Sequence, residues 1–249
     1  MIELRDIEKS YRQGFRTTPV LNGIDLDVEE GGFLTILGPS GSGKTTLLNI
    51  LGMIDEPTSG IYRFREKNVT GLSEKERTRL HRRKIGIVFQ AYHLIDDLTV
   101  YENLETPLEY NDVEEDEREE RIETMLERFF LKEKAEHYPS QLSGGQQQLV
   151  GVARALIHRP DLILADEPTG NLHSRQGEQI MGLFQRINER DGVTIVQVTH
   201  AKKWTEYGDR ALELVDGEIT EERILREDAY EAAGMKPAAN VDDDSGESE

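Results

Sequence analysis

The chain has 249 residues, enough for one large domain or two small ones. It carries 30 Lys and Arg against 49 Asp and Glu, a formal charge of −19, which argues against a nucleic-acid partner because such partners need a basic surface. Cys is absent, which excludes disulfides, thiolate metal sites, iron–sulfur clusters and a thiol nucleophile. No apolar run reaches the roughly 18 residues of a membrane span, and Met1 to Asp6 lacks the basic-then-apolar pattern of a signal peptide, so a cytoplasmic location is expected.

Ile2, Leu4 and Ile7 alternate with charged residues, as do Ile24, Leu26 and Val28, and both stretches predict half-buried strands at a sheet edge. The segment from Tyr11 through Pro19 reads as a turn between them. Phe33 to Leu37 is a short apolar run bounded by glycines, as expected of a buried parallel strand, and Thr45 to Met53 reads as a helix. Gly71 to Lys84 is polar and helix-prone, and Ile85 to Phe89 predicts another strand. Residues 99–138 read as helical and contain an acidic run, Asn111 to Glu123, that fits a solvated helix start or a loop. A Ser-Gly-Gly turn opens a helix over Leu142 to His158. Leu162–Ala165 and Thr194–Val198 are two further buried strands, separated by a helix over Ser174 to Asp191. Alternating strands and helices predict an α/β fold with a mainly parallel core sheet. Residues 236–249, small and acidic, read as a disordered tail after a domain over 1–235.

Gly38-Pro39-Ser40-Gly41-Ser42-Gly43-Lys44-Thr45 fits the phosphate-loop pattern, and it lies between a predicted strand and a helix, which is the context the pattern requires. Glycines let successive N–H groups converge on phosphate oxygens while the helix start adds positive potential. Lys44 reaches the β- and γ-phosphates of a nucleotide, the Thr45 hydroxyl is a Mg²⁺ ligand, and Thr46 extends the nucleotide-binding set. The apolar strand 162–165 ends in Asp166 and Glu167, where a parallel sheet presents residues to ligands. There Asp166 would hold Mg²⁺ through water and Glu167 would polarise an attacking water.

Leu142-Ser143-Gly144-Gly145-Gln146, with the phosphate loop before it and the acid pair after it, resembles the signature of the ATP-binding cassette (ABC) ATPases over about residues 1–220. In physical terms the pentapeptide is a second anion-binding helix start, with a Ser143 hydroxyl and the N–H groups of Gly144 and Gly145. The resemblance implies a P-loop NTPase fold with an N-terminal antiparallel β subdomain and an inserted helical subdomain over about 91–160. It implies a homodimer in the ATP-bound state, with each ATP sandwiched between the phosphate loop of one copy and Ser143, Gly144, Gly145 and Gln146 of the other. Tyr11 matches the aromatic that stacks on adenine, although on its own it also fits a strand-end core tyrosine. Gln90 matches the glutamine that senses Mg²⁺ and the attacking water, and His200 the histidine that contacts the γ-phosphate. His173 departs from the pattern, since the family carries Asp there, so communication between the two sites is the property this position puts in question.

Gly52 to Gly60 and Ala165 to Leu172 resemble the branch that energises lipoprotein release and macrolide efflux. That branch implies ATP hydrolysis driving a separate integral membrane permease, with this chain peripheral on the inner membrane face and out of contact with the transported substrate. A cell-division type regulator that moves no substrate stays open as the alternative. Repair and ribosomal members carry a long coiled coil or two fused cassettes, and this chain has neither. Ala91-Tyr92-His93-Leu94-Ile95 is unusually apolar for a loop, so it either packs into the chain's own helices or forms part of a groove for a helix of the membrane partner.

Overall fold

A computed structural model describes residues 1–226. The elements are β1 (Ile2–Gln13), β2 (Arg16–Val28), β3 (Phe33–Leu37), α1 (Lys44–Leu51), β4 (Ser59–Phe64), β5 (Lys67–Asn68), α2 (Glu74–Lys84) and β6 (Ile85–Phe89). The chain continues with α3 (Val100–Glu109), α4 (Glu115–Arg128), α5 (Gly144–Leu156), β7 (Leu162–Asp166), α6 (Ser174–Asp191), β8 (Thr194–Thr199), β9 (Arg210–Val215) and β10 (Glu218–Ile224). A four-stranded antiparallel sheet has the order β2-β1-β4-β5, and a six-stranded sheet has the order β10-β9-β3-β8-β7-β6. In the larger sheet β9, β3, β8, β7 and β6 run parallel, and β10 joins the edge antiparallel.

The parallel strands are apolar on both faces because both faces are covered. Along β7, Leu162 and Leu164 face a core shared with β1, β2, α1 and β4, while Ile163 and Ala165 face a second core shared with α3 to α6. Between β6 and β7 the described chain forms helices and loops only, and α3, α4 and α5 supply much of that second core through Leu104, Leu108, Ile122, Leu126, Val150 and Val152.

Three readings change. The segment Tyr11 to Pro19 is not a turn: β1 and β2 pair through Tyr11 with Thr18, Arg12 with Thr17 and Gln13 with Arg16, and the chain reverses only at Gly14-Phe15. Residues 99–138 are not one continuous helical stretch: after Arg128 the chain runs as turns around one 3-10 turn at Lys132–Lys134, and Asn111 to Val113 break between α3 and α4. The acidic run divides there, so Glu115, Asp116 and Glu117 occupy the first turn of α4, where the helix dipole favours them. Helix α1 ends at Leu51, two residues short of the predicted limit. The expected tail over 236–249 lies outside the described residues.

Candidate functional site

Strand register brings the predicted site together. Leu37 pairs with Thr199, Asp166 with Val198, and Phe89 with Asp166, so β3, β8, β7 and β6 end in one row. The loops that follow therefore open at the same edge of the sheet. They enclose a cavity of about 710 Å³ lined by Ser40, Gly41, Gly43, Lys44, Thr45, Thr46, Gln90, Asp166, Glu167 and His200, together with Val20 from β2. Val20 is the lining residue that carries no signal in the sequence.

The phosphate loop is held by close packing. A Cβ on Gly38 would lie 2.2 Å from the Leu214 carbonyl, and Gly43 at the N-cap of α1 has φ 103°. Only glycine fits both requirements. Gly43 brings no capping side chain, so the first-turn N–H groups of α1 stay available to an anion. Lys44 is buried, and its ammonium donates to the carbonyls of Gly38 at 2.9 Å and Pro39 at 2.8 Å, which fixes its head at the cavity floor. Ser42 is buried in the turn behind the cavity, with its hydroxyl unpaired.

Thr45 donates its hydroxyl to Asp166 Oδ2 at 3.2 Å. Burial raises the Asp166 carboxyl above its ordinary value, with the neighbouring Glu167 charge adding to the effect while Thr45 and Lys44 oppose it. A half-buried carboxylate beside a hydroxyl at a phosphate loop is a sparse oxygen donor set. Such a set fits Mg²⁺, which keeps several waters and takes its other ligands from phosphate oxygens.

Glu167 follows with φ 46°, a left-handed conformation uncommon for a non-glycine residue. This turn aims the carboxylate at the end of β8. Oε2 accepts from the Thr199 hydroxyl at 3.1 Å and Oε1 meets His200 Nδ1 at 2.8 Å. A carboxylate only accepts, so this contact assigns the proton to Nδ1 and leaves Nε2 to face outward. The Glu167 side chain is 14% exposed and the His200 side chain 67%, so the acid is sheltered and the ring is open to a ligand. Gln90 is bound reciprocally to Asn171: Nε2 donates to Asn171 Oδ1 at 3.2 Å, and Asn171 Nδ2 returns a bond to the Gln90 carbonyl at 3.0 Å. Asn171 thereby joins the loop after β6 to the loop after β7, a role that spacing alone does not reveal.

The other predicted residues lie off the cavity wall. Tyr11 is 41% exposed on β1, and its hydroxyl donates to Asp55 Oδ2 at 2.7 Å. Partial burial and the Asp55 bond raise its phenol, while the Thr46 hydroxyl beside it acts the other way. Ser143 is exposed and caps α5: its Oγ accepts from Gln146 N at 3.4 Å, and Gln146 Oε1 accepts from Ser143 N at 2.9 Å. The Tyr92 hydroxyl sits against Gly144, and the Gln176 amide against Gly145, so that added Cβ atoms would lie 2.7 and 2.8 Å away. His173 stands at the N-cap of α6, with its N–H donated to Gln176 Oε1 at 3.4 Å. In the loop after Gln90, Leu94 packs on the helical core and Tyr92 is half-buried, whereas Ile95 is 43% exposed.

The family profile described as "ABC transporter" matches residues 21–170. The chain belongs to the ABC transporter family. It is an ATPase cassette of that family, and its relatives agree with the macrolide-efflux branch. It is 46% identical over 240 residues to the macrolide export ATP-binding/permease protein MacB of Syntrophobacter fumaroxidans, covering 96% of this chain and 34% of that protein. The chain thus spans about a third of the length of that relative. It is 45% identical over 230 residues to the ABC transporter ATP-binding protein MJ0796 of Methanocaldococcus jannaschii, covering 91% of this chain and 98% of MJ0796. The dimeric structure of MJ0796 in a post-hydrolysis state bound to ADP and Pi superposes with a TM-score of 0.84 at 43% identity, covering 91% of this chain and 99% of that one. Among the described residues, no helix is long and apolar enough to cross a membrane.

Proposed function

We propose that this cassette binds ATP with Mg²⁺ and hydrolyses it between two copies of the chain, and that the closing and opening of the pair drives a membrane permease of the lipoprotein-release or macrolide-export kind. The observation that carries this reading is the convergence of Lys44, the Thr45–Asp166 pair and the Glu167–His200 pair on one cavity at the ends of four adjacent strands.

Lys44 and the free N–H groups of α1 would hold the phosphates, and Thr45 and Asp166, with Gln90, would hold the metal, which would offset the negative charge of the phosphates. Glu167, sheltered and fixed by Thr199 and His200, accepts a hydrogen bond from the attacking water and orients it toward the γ-phosphate. His200, held through Nδ1 against Glu167, turns its exposed outer edge toward the γ-phosphate, so one ring links the acid that orients water to the group under attack. Tyr11, at the rim beyond Thr46, is the stacking surface for adenine. Ser143 and the start of α5 close the site of a second copy, a reading for which the dimeric state of the MJ0796 structure supports only the pairing of two copies. Exposed Ile95 and the loop after Gln90 are the surface offered to the permease, on another chain or another segment, at the inner face of the membrane.

Lys44→Ala tests the cavity assignment. Removing a cation that faces two phosphates should weaken ATP binding by on the order of 10–100-fold, as loss of hydrogen bonds to a charged group predicts. Equal ATP affinity in the two proteins by titration calorimetry with Mg²⁺ overturns it.

A further inference from the structure

Asp55 lies in the turn just past α1 and makes a three-way contact that the proposed reaction does not use. Its N–H donates to the Asn49 carbonyl of α1 at 3.2 Å, beside a 2.9 Å bond from Ile54 N to the same oxygen. One carboxylate oxygen accepts from Lys9 Nζ at 2.6 Å and the other from the Tyr11 hydroxyl at 2.7 Å. The Lys9 ammonium also donates to the Glu56 carbonyl at 2.6 Å and stands 4.8 Å from the centre of the Tyr11 ring. Burial works against the Asp55 charge, yet the bonds from Lys9 and Tyr11 outweigh it and hold the carboxyl below its ordinary value.

The turn is fastened to β1 on both sides of these residues. Thr58 N donates to the Glu8 carbonyl at 2.8 Å, and Ser10 N donates to the Thr58 hydroxyl at 3.0 Å. With its lysine 11% and its acid 30% exposed, this ion pair does little for net stability, because solvent screening and partial desolvation offset its attraction. Its geometric consequence is larger. A half-exposed tyrosine on a strand would sample several side-chain positions, but here the phenol is tied at its far end to a group rooted in α1. That same helix begins at the phosphate loop, with Lys44 at its first position. One rigid helix of eight residues thus carries the phosphate grip at its start and, through Asp55, the aromatic ring at its end.

We propose that Asp55, supported by Lys9, is a positioning residue for the nucleobase: it sets the Tyr11 ring at a fixed separation from the phosphate loop without touching the nucleotide. The inference rests on the reading of Tyr11 as the adenine-stacking residue.

ADP and inorganic pyrophosphate, titrated into the full chain by calorimetry with competition where binding is weak, separate the base from the phosphates. Tyr11→Ala should lower ADP affinity about 10-fold, the scale of one lost base–aromatic stack, and leave pyrophosphate affinity unchanged. Asp55→Asn should lower ADP affinity about 3-fold to 10-fold with pyrophosphate again unchanged, since a loosened ring keeps only part of that stack. Tyr11→Phe, which keeps the ring and loses only the hydroxyl, should reproduce the Asp55→Asn loss, and in the double variant the two losses should not add. A wild-type ADP affinity in Tyr11→Phe, or a parallel fall for ADP and pyrophosphate in Asp55→Asn, overturns the proposal while leaving the stacking reading intact. An unchanged ADP affinity in Tyr11→Ala overturns the stacking reading, and the proposal with it. If Asp55→Asn does not fold, Tyr11→Phe decides the matter alone.

Discussion

The starts of α1 and α5 are both glycine-rich and both suited to anions, yet they are built differently. At α1 the N-cap is Gly43 with no capping side chain, Lys44 is buried beside it, and an acid pair from β7 faces it across the cavity. At α5 the N-cap is Ser143, whose hydroxyl and N–H are both engaged with Gln146, and Ser143 is exposed. The first helix start therefore assembles donors, a cation and acids on one chain, and is chemically complete. The second offers a hydroxyl and helix-start N–H groups with no buried lysine of its own. On the proposed reading it is half a site, one that gains chemistry only when another surface brings it a phosphate.

Glu167→Gln disables the complete site most severely. Loss of the acceptor that orients water should lower ATP hydrolysis by about 10²–10⁴-fold while ATP binding persists. A phosphate-release assay beside calorimetry checks both halves of that statement.

The anchoring of α5 can be loosened by acid. His158, just past the end of α5, has Nε2 3.2 Å from the Ile85 carbonyl at the start of β6. Burial, opposed in part by that carbonyl, lowers its pKa to about 4. The unfolded chain, with an ordinary value near 6.5, then binds more protons between pH 6.5 and 4, so stability falls as the pH drops through that window. At about 1.4 kcal/mol per pH unit the loss approaches 3 kcal/mol. Urea melts at stepped pH should show this slope, and His158→Phe should flatten it.

Ser143→Ala isolates the half-site. Losing one donor to a charged phosphate costs about 1.5–3 kcal/mol, so ATPase activity should fall on the order of 10–100-fold. The ATP affinity of the separate chain should stay at the wild-type value. Loss of the helix cap alone would appear as about 1 kcal/mol of stability in a melt and would not reproduce that pattern.

The smallest effect is expected at the loop after Gln90, the surface proposed to meet the permease. Ile95→Asp should leave basal ATPase unchanged, because the side chain is exposed and off the cavity wall. Recruitment of the cassette to permease-containing membranes should weaken about 10-fold, the scale of one buried aliphatic side chain. Tyr92 and Leu94 are poorer probes, since one lies against Gly144 and the other in the helical core.

The complete site was legible because its parts sit at strand ends, where an apolar run stops and a glycine or an acid follows. Strands β3, β6, β7 and β8 announce themselves as short β-branched blocks, and the phosphate loop and acid pair follow directly. The long β1–β2 hairpin was harder to see because Pro19 argues against a strand. Strand β2 lies at the sheet edge, where a missing N–H leaves no ladder bond unmade. The hairpin of β9 and β10 did carry a signal: Asp216 and Gly217, at φ 49° and 81°, form the two-residue Asp-Gly turn typical of such connections. Asn171, Val20 and Asp55 stay hidden in the sequence because their roles arise from contacts between segments far apart along the chain.

The half-site account is tested most directly by the oligomeric state of Glu167→Gln, measured by size-exclusion chromatography with light scattering. Bound ATP that is not consumed should pull the equilibrium toward the state that shares it. The variant should be a monomer without nucleotide, a dimer in saturating ATP with Mg²⁺, a monomer in ADP, and a monomer again in ATP when Ser143→Arg is added. A Glu167→Gln chain that stays monomeric in saturating ATP, or a dimer that survives Ser143→Arg, contradicts it.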